Sequence, residues 1–286
     1  MIWSIISTIL CAASYDVISR VNMDASNKRN LKIIIAVIAA SIVIRILIYY
    51  IISRYIKLRR YFTASAIILA LFILLSILVS PKIKFNGTSN NSYSSPSPSP
   101  VIKADSITFL DVNNSHSKIL NQLMILLTNY GREEFWPIAI ILLFVLGGWT
   151  GKNTAVVIAI SMIVLIPIGT IAKESIARPR PIIPKSDYLI AADSEFAFPS
   201  GHALIVSAGA TVALLFNNTL RKLGISIALT VEAALVCISR VYVGGHYPLD
   251  VVGGILLGAG VSLIFVGIDK SIEALLMPLT RKILRR

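Results

Sequence analysis

Three short stretches carry side chains that an otherwise apolar chain has little reason to keep. The first, KESIARPRP, begins at Lys173 and sets Arg178 and Arg180 in a run stiffened by the alternate prolines Pro179 and Pro181. The second, FPSGH, leads through Pro199, Ser200 and Gly201 to His202. The third, SRVYVGGHYPLD, holds Ser239, Arg240, His246 and Asp250. Each lies at the end of an apolar run, where ionisable groups are costly and mark a path or a reaction site. Arginine offers a planar fork matched to phosphate oxygens, and lysine adds a point charge. Ser200 and Gly201 at a helix start turn backbone N–H groups and the positive end of the helix dipole toward an anion, which glycine lets approach closely. Lys173, Arg180, Arg240, Ser200 and Gly201 therefore make an anion cage suited to a phosphoryl group. A carboxylate at Asp250 can hold one ring nitrogen of His246 and leave the other as a nucleophile. His202, on a different helix, can then protonate the departing oxygen.

These clusters need elements that bring them together. The chain has 286 residues, 56% apolar and 14% charged, with a mean hydropathy of +0.79, which excludes an ordinary soluble domain. Runs long enough to cross a hydrocarbon core of about 30 Å are read at 31–53, 61–80, 135–150, 154–172, 202–217, 223–239 and 250–268. The fold class expected is all-α, a polytopic transmembrane bundle of about seven or eight helices, with the last five spans forming the catalytic bundle. Residues 2–18 fit an interfacial helix as well as a span. Residues 81–105 switch abruptly to a Ser/Pro/Asn-rich composition and are read as a flexible extracytoplasmic linker. It separates N-terminal membrane helices, 1–80, from a catalytic domain, 106–286, which opens with the amphipathic stretch ILNQLMILLTNYG.

Lysine and arginine in short loops set orientation. Arg54, Lys57, Arg59 and Arg60, then Lys152, then Arg221 and Lys222, then Lys270 and the basic C-terminus fall on one side, read as cytoplasmic. Arg20, Lys28, Arg29 and Lys32 fall on the other side and weaken the asymmetry. The three clusters then face the extracytoplasmic side of the cell membrane. Asn86, Asn90 and Asn113 begin sequons on that side and are candidate glycosylation sites. The net charge of +13 is read as topology and attraction to anionic lipid, and no nucleic-acid partner is expected, since no basic helix or aromatic-basic pattern accompanies it. Cys11 and Cys237 lack the spacing of a disulfide framework or metal site and are read as buried small side chains. Arg45 and Glu232, both deep in apolar runs, are a possible ion pair, and His116 is read as a solvent-exposed loop residue.

The spacing K-x6-R-P, then P-S-G-H, then S-R-x5-H-x3-D resembles the pattern of the type 2 phosphatidic acid phosphatase superfamily. Lys173, Arg180, Pro181, Pro199, Ser200, Gly201, His202, Ser239, Arg240, His246 and Asp250 all match it. The likeness covers about 135–268. It implies that His246 attacks phosphorus and becomes phosphohistidine, that Asp250 orients it, and that His202 is the general acid. Lys173, Arg180, Ser200, Gly201 and Arg240 would hold the phosphoryl oxygens. It also implies that no metal or other cofactor is used, and the sequence shows no carboxylate cluster suited to magnesium. The six-residue gap selects Arg180 over Arg178, which is left as a possible rim residue for a second phosphate or a lipid headgroup.

The function expected is hydrolysis of an anionic membrane lipid, favouring by family analogy a polyprenyl diphosphate of the dolichyl or undecaprenyl type in carrier-lipid recycling. Phosphatidic acid, phosphatidylglycerol phosphate and a soluble phosphate ester are alternatives within the class. A phosphate or lipid transporter that uses the cage only to bind is the alternative outside it, and the position of the clusters at span ends argues against that.

Overall fold

The computed structural model describes residues 53, 55–81, 99–182, 189–190, 196–216 and 220–274. The chain divides into two compact units, Met1–Arg60 and Tyr61–Arg286, and the helix bundle belongs to the second. Helix α1, Tyr55–Val79, begins in the first unit and continues into the second. It is followed by α2 (Pro100–Asn113), α3 (Lys118–Tyr130), α4 (Phe135–Leu146), α5 (Gly148–Ile176), α6 (Gly201–Phe216), α7 (Leu220–Tyr242) and α8 (Pro248–Gly267). Among the described residues α1, α5, α7 from Leu223 and α8 are long and apolar enough to cross a membrane. The expected span 31–53 except its last residue, and all of 2–18, with Arg45 and Cys11, lie outside the described residues.

Helix α6 is the centre of the bundle and packs against α5, α7 and α8. Its buried positions, from His202 through Val206 and Ala210 to Ala213, lie on nearly every face, as expected of a helix surrounded by protein. Close approach of α8 depends on Gly254 and Gly258, a small-xxx-small pair: a β-carbon at 258 would collide with the carbonyl of Leu204, and one at 254 would stand 2.6 Å from that of Ser200. Trp136 of α4 fills the space over Gly209 and is fully buried. The outward faces remain apolar, with Ile67, Leu74, Ile141, Val145, Ile163 and Ile171 all exposed, a surface made for lipid tails rather than water.

Two expected boundaries move. The apolar run read as a span over 135–150 is helical only to Leu146, because the chain turns at Gly147 and Gly148, where φ of +60° suits a residue without a β-carbon. Helix α5 then starts six residues before the expected 154 and runs through Pro167 to Ile176. The stretch read as linker to residue 105 is helical from Pro100: Ser99 caps α2 by accepting from the Ile102 N–H, and Pro100 sits at the first helical position. Composition hid this start, since serine and proline signal both linkers and helix beginnings.

Candidate active site

The three polar clusters meet at one end of the bundle. Lys173 occupies the last turn of α5, which ends at Ala177 in a left-handed conformation, φ 52° and ψ 42°. This bend sends the next residues across the helix ends as an extended segment, fixed by the Ala197 N–H donating to the Arg178 carbonyl at 2.8 Å. Gly201 and His202 open α6, Arg240 closes α7, and His246 lies in the short connection to α8. The Ser200 N–H donates to the Asp250 carbonyl at 2.9 Å, tying the starts of α6 and α8 together. A cavity of about 260 Å³ opens here, walled by Lys173, Pro199, Gly201, His202 and His246, with Arg132 and Glu174 beside them and Gly169, Leu204 and Ile205 beneath.

The guanidinium groups of Arg180 and Arg240 converge on Gly245. Arg180 Nη1 donates to the Gly245 carbonyl at 2.7 Å, and a β-carbon at 245 would stand 3.3 Å from Arg240 Nη2 and 3.6 Å from Arg180 Nη1. His246, only 1% exposed, is the next residue. Burial, followed by the nearby charges of Arg240, Arg180 and Lys173, pushes its ring well below the usual histidine range. The imidazole is therefore neutral at ordinary pH, with its lone pair available. His202, also buried, is held from the opposite direction by α3, whose Thr128 offers a backbone hydrogen bond to the ring. The Thr128 hydroxyl meets the Ser239 hydroxyl at 2.7 Å, which links α3 to the end of α7.

Two sequence expectations need correction. Asp250 does not bond the His246 ring directly: Nδ1 and Oδ2 are 3.7 Å apart, beyond hydrogen-bond range. Both of its oxygens are engaged, Oδ2 with the Tyr247 N–H at 2.8 Å and Oδ1 with Arg178 Nη1 at 2.6 Å. The carboxylate thus fixes the backbone that carries His246. Arg178, in turn, is no rim residue. It is 5% exposed, bridges Asp250 to Asp105 at 2.6 Å on each side, and lies 4.3 Å from the centre of the Tyr247 ring. Asp105 also accepts from the Leu249 N–H at 2.9 Å, so α2 clamps the start of α8. Burial works against the charge on Arg178, yet the two carboxylates outweigh it and hold its pKa above the ordinary value.

Residues 153–271 match the model of the PAP2 superfamily. Over 164 residues the chain is 38% identical to an undecaprenyl-diphosphatase of Sulfolobus acidocaldarius, a match covering 56% of this chain and 76% of that protein. The chain belongs to the PAP2 superfamily. Within it, 167 residues are 30% identical to phosphatidylglycerophosphatase B of Bacillus subtilis, covering 54% of this chain and 77% of the relative. The crystal structure of a transmembrane PAP2-type phosphatidylglycerolphosphate phosphatase from Bacillus subtilis superposes with a TM-score of 0.54 at 25% identity, over 73% of this chain and 96% of that one. This chain is accordingly an integral-membrane PAP2 phosphatase. Its sequence motifs, from Lys173 to Asp250, all fall inside the matched region, whereas Asp105, Thr128 and Arg132 precede it.

Those three residues were missed by motif reasoning. Each stands alone in its own segment, and only the packing of α2, α3 and the α3–α4 turn onto the site end gives it a partner. Other expectations also change. His116 is half-buried, with Nε2 at 3.1 Å from the Tyr242 carbonyl and its ring against that of Tyr242. Asn113 is buried and donates its amide to the same carbonyl at 3.2 Å, which leaves no room for a glycan on that sequon. Glu232 stands beside Trp136, and its suggested partner Arg45 lies outside the described residues.

Proposed function

We propose that this PAP2 phosphatase removes the terminal phosphate of a polyprenyl diphosphate of the undecaprenyl or dolichyl type, releasing the monophosphate and inorganic phosphate at the outward face of the cell membrane. The observation that carries the reading is one cavity walled by His246, His202 and Lys173, with Arg180 and Arg240 converging on the residue before His246. The 38% identity to an undecaprenyl-diphosphatase supports the choice of lipid. A second reading, phosphatidylglycerol phosphate, is supported by the relative and the solved structure that carry that name. Lys152 near the start of α5 and Lys270 after α8 lie at the end opposite the cavity and support an outward-facing site.

In the proposed mechanism a ring nitrogen of neutral His246 attacks the terminal phosphorus in line, forming an N–P bond as the P–O bond to the bridging oxygen breaks. His202 gives its proton to that oxygen, and the bound anion favours the proton on His202 before transfer. Lys173, Arg180, Arg240 and the Ser200–Gly201 backbone hold the equatorial oxygens as charge moves. Water then attacks the phosphohistidine, His202 takes its proton, and the N–P bond breaks to release phosphate and neutral His246.

The test is phosphate release by purified protein in detergent with EDTA from polyprenyl diphosphate, phosphatidic acid and phosphatidylglycerol phosphate, beside His246→Ala. Metal-independent release from the polyprenyl substrate that disappears in the variant, while vanadate still binds, is expected. Release mainly from another lipid overturns the substrate, and normal turnover by His246→Ala overturns the mechanism.

A further inference from the structure

Arg132 lies in the turn between α3 and α4, outside all three motifs, yet it walls the same cavity as His202, Gly201 and His246. Its Nη1 stands 3.6 Å from the point a β-carbon on Gly201 would occupy, so the guanidinium overhangs the start of α6. The turn is fixed rather than loose: a β-carbon at the preceding Gly131 would collide with Val236 and with the Leu127 carbonyl, which seats the turn against α7. The side chain is 27% exposed and pairs with Glu133, itself 62% exposed. A ligand can therefore reach the guanidinium and displace a surface carboxylate that gains little from the pair.

The cations around the cavity overlap in part. Arg240, Arg180 and Lys173 are the charges that act on His246, where the phosphoryl group would be received. Arg240 acts on His202 as well, followed by Arg132, which overhangs the start of α6 where the leaving oxygen would be protonated. A phosphate monoester places an uncharged alcohol on the His202 side. A diphosphate places a second phosphate there, and that phosphate gains charge as the bridging bond breaks. Glu174 lines the cavity mouth as well, and its negative charge disfavours spread of the anion in that direction, toward the lysine side.

We propose that Arg132 holds the leaving-group phosphate of a diphosphate substrate and so forms a second phosphate subsite that favours diphosphates over monoesters. This inference rests on the site assigned above and names a specificity residue for it. A guanidinium that bonds a departing phosphate strengthens its hold as charge develops, so it acts on turnover as well as binding.

The experiment compares wild type, Arg132→Gln and Arg132→Lys on farnesyl diphosphate and farnesyl monophosphate, which share one chain. It adds inhibition by methylenediphosphonate against inhibition by inorganic phosphate. With Arg132→Gln, kcat/KM on the diphosphate is expected to fall about tenfold more than on the monophosphate, on the scale of one charge-assisted hydrogen bond in a partly open site. Methylenediphosphonate should lose its advantage over phosphate by a similar factor, Arg132→Lys should restore part of it, and Glu133→Gln, which frees Arg132, should strengthen diphosphonate inhibition. An equal fall on both substrates, or unchanged diphosphonate selectivity in Arg132→Gln, overturns the subsite. If wild type prefers phosphatidylglycerol phosphate to every prenyl substrate, the polyprenyl reading fails, and the diphosphonate arm still decides the role of Arg132. If Arg132→Gln does not fold, the Glu133→Gln and Arg132→Lys arms decide it.

Discussion

Replacing Arg178 with methionine removes the cation that joins α2 to the start of α8 while keeping most of the side-chain volume. The guanidinium is 5% exposed, and the Asp105 and Asp250 side chains it bridges are 1% and 0% exposed, each at 2.6 Å. Breaking a buried ion pair from one side costs about 3–5 kcal/mol, because the remaining charge stays desolvated. Two carboxylates remain here, so the upper part of that range is expected at alkaline pH. Burial already holds Asp105 above its ordinary value of 3.8 despite the help of Arg178, and loss of the cation raises it further. An acid whose folded pKa is raised favours folding at low pH and loses that advantage as pH rises through the folded value. The defect of Arg178→Met relative to wild type must therefore shrink toward pH 5 and grow toward pH 8. Asp105→Asn, which leaves the Arg178–Asp250 pair and an acceptor for the Leu249 N–H, should cost less, about 1–2 kcal/mol. Reversible unfolding in mixed detergent micelles, followed by circular dichroism at several pH values, measures all three proteins. A cost below about 1 kcal/mol for Arg178→Met, or a defect that grows toward acid pH, would refute the account of the buried triad.

Three further outcomes follow from the same geometry. Since burial and then Arg240, Arg180 and Lys173 hold His246 well below its ordinary 6.5, its acid limb in the pH profile of kcat/KM should lie below that value, and Arg240→Gln should move it upward. Folding stability contributed by the neutral ring is complete above that ordinary value and is lost as pH falls, because the unfolded chain then binds a proton the folded one excludes; His246→Gln should flatten this slope in unfolding measurements. Gly258→Ala drives a β-carbon into the Leu204 carbonyl, a backbone atom that cannot swing aside, and should destabilise by about 1–3 kcal/mol. Gly224→Ala on α7, with open space around it, should instead stabilise by roughly 0.5–1 kcal/mol, and equal effects of the two in thermal unfolding would undo the packing argument.

The position of the site at one end of a helical bundle was legible because apolar runs and polar interruptions are local properties. Lys173, His202, Arg240 and His246 each stand where an apolar segment ends, and helix rise alone brings alternate ends together. Boundaries were less legible where one residue type serves two purposes. Ser99 and Pro100 read equally as linker and as the capped start of α2, and the apolar composition on both sides of Gly147 conceals a chain turn. The Gly254 and Gly258 pair reads in sequence only as apolar filler until α6 is laid against it.

The amino-acid sequence by itself determined the class of fold and the position of the three polar clusters at the ends of apolar segments, because these depend on residue type, spacing and hydrophobic length. Tertiary structure alone decided how the cage is supported. Arg178 and Arg180 differ by two positions in one proline-rich segment, yet the first is buried between carboxylates of α2 and α8 while the second bonds the loop before His246. Asp105, more than seventy positions from Arg178, acquires a role only when α2 is brought against the start of α8. The physical reason is that a buried charge takes its meaning from the partners that replace its water, and those partners come from parts of the chain that no local pattern connects.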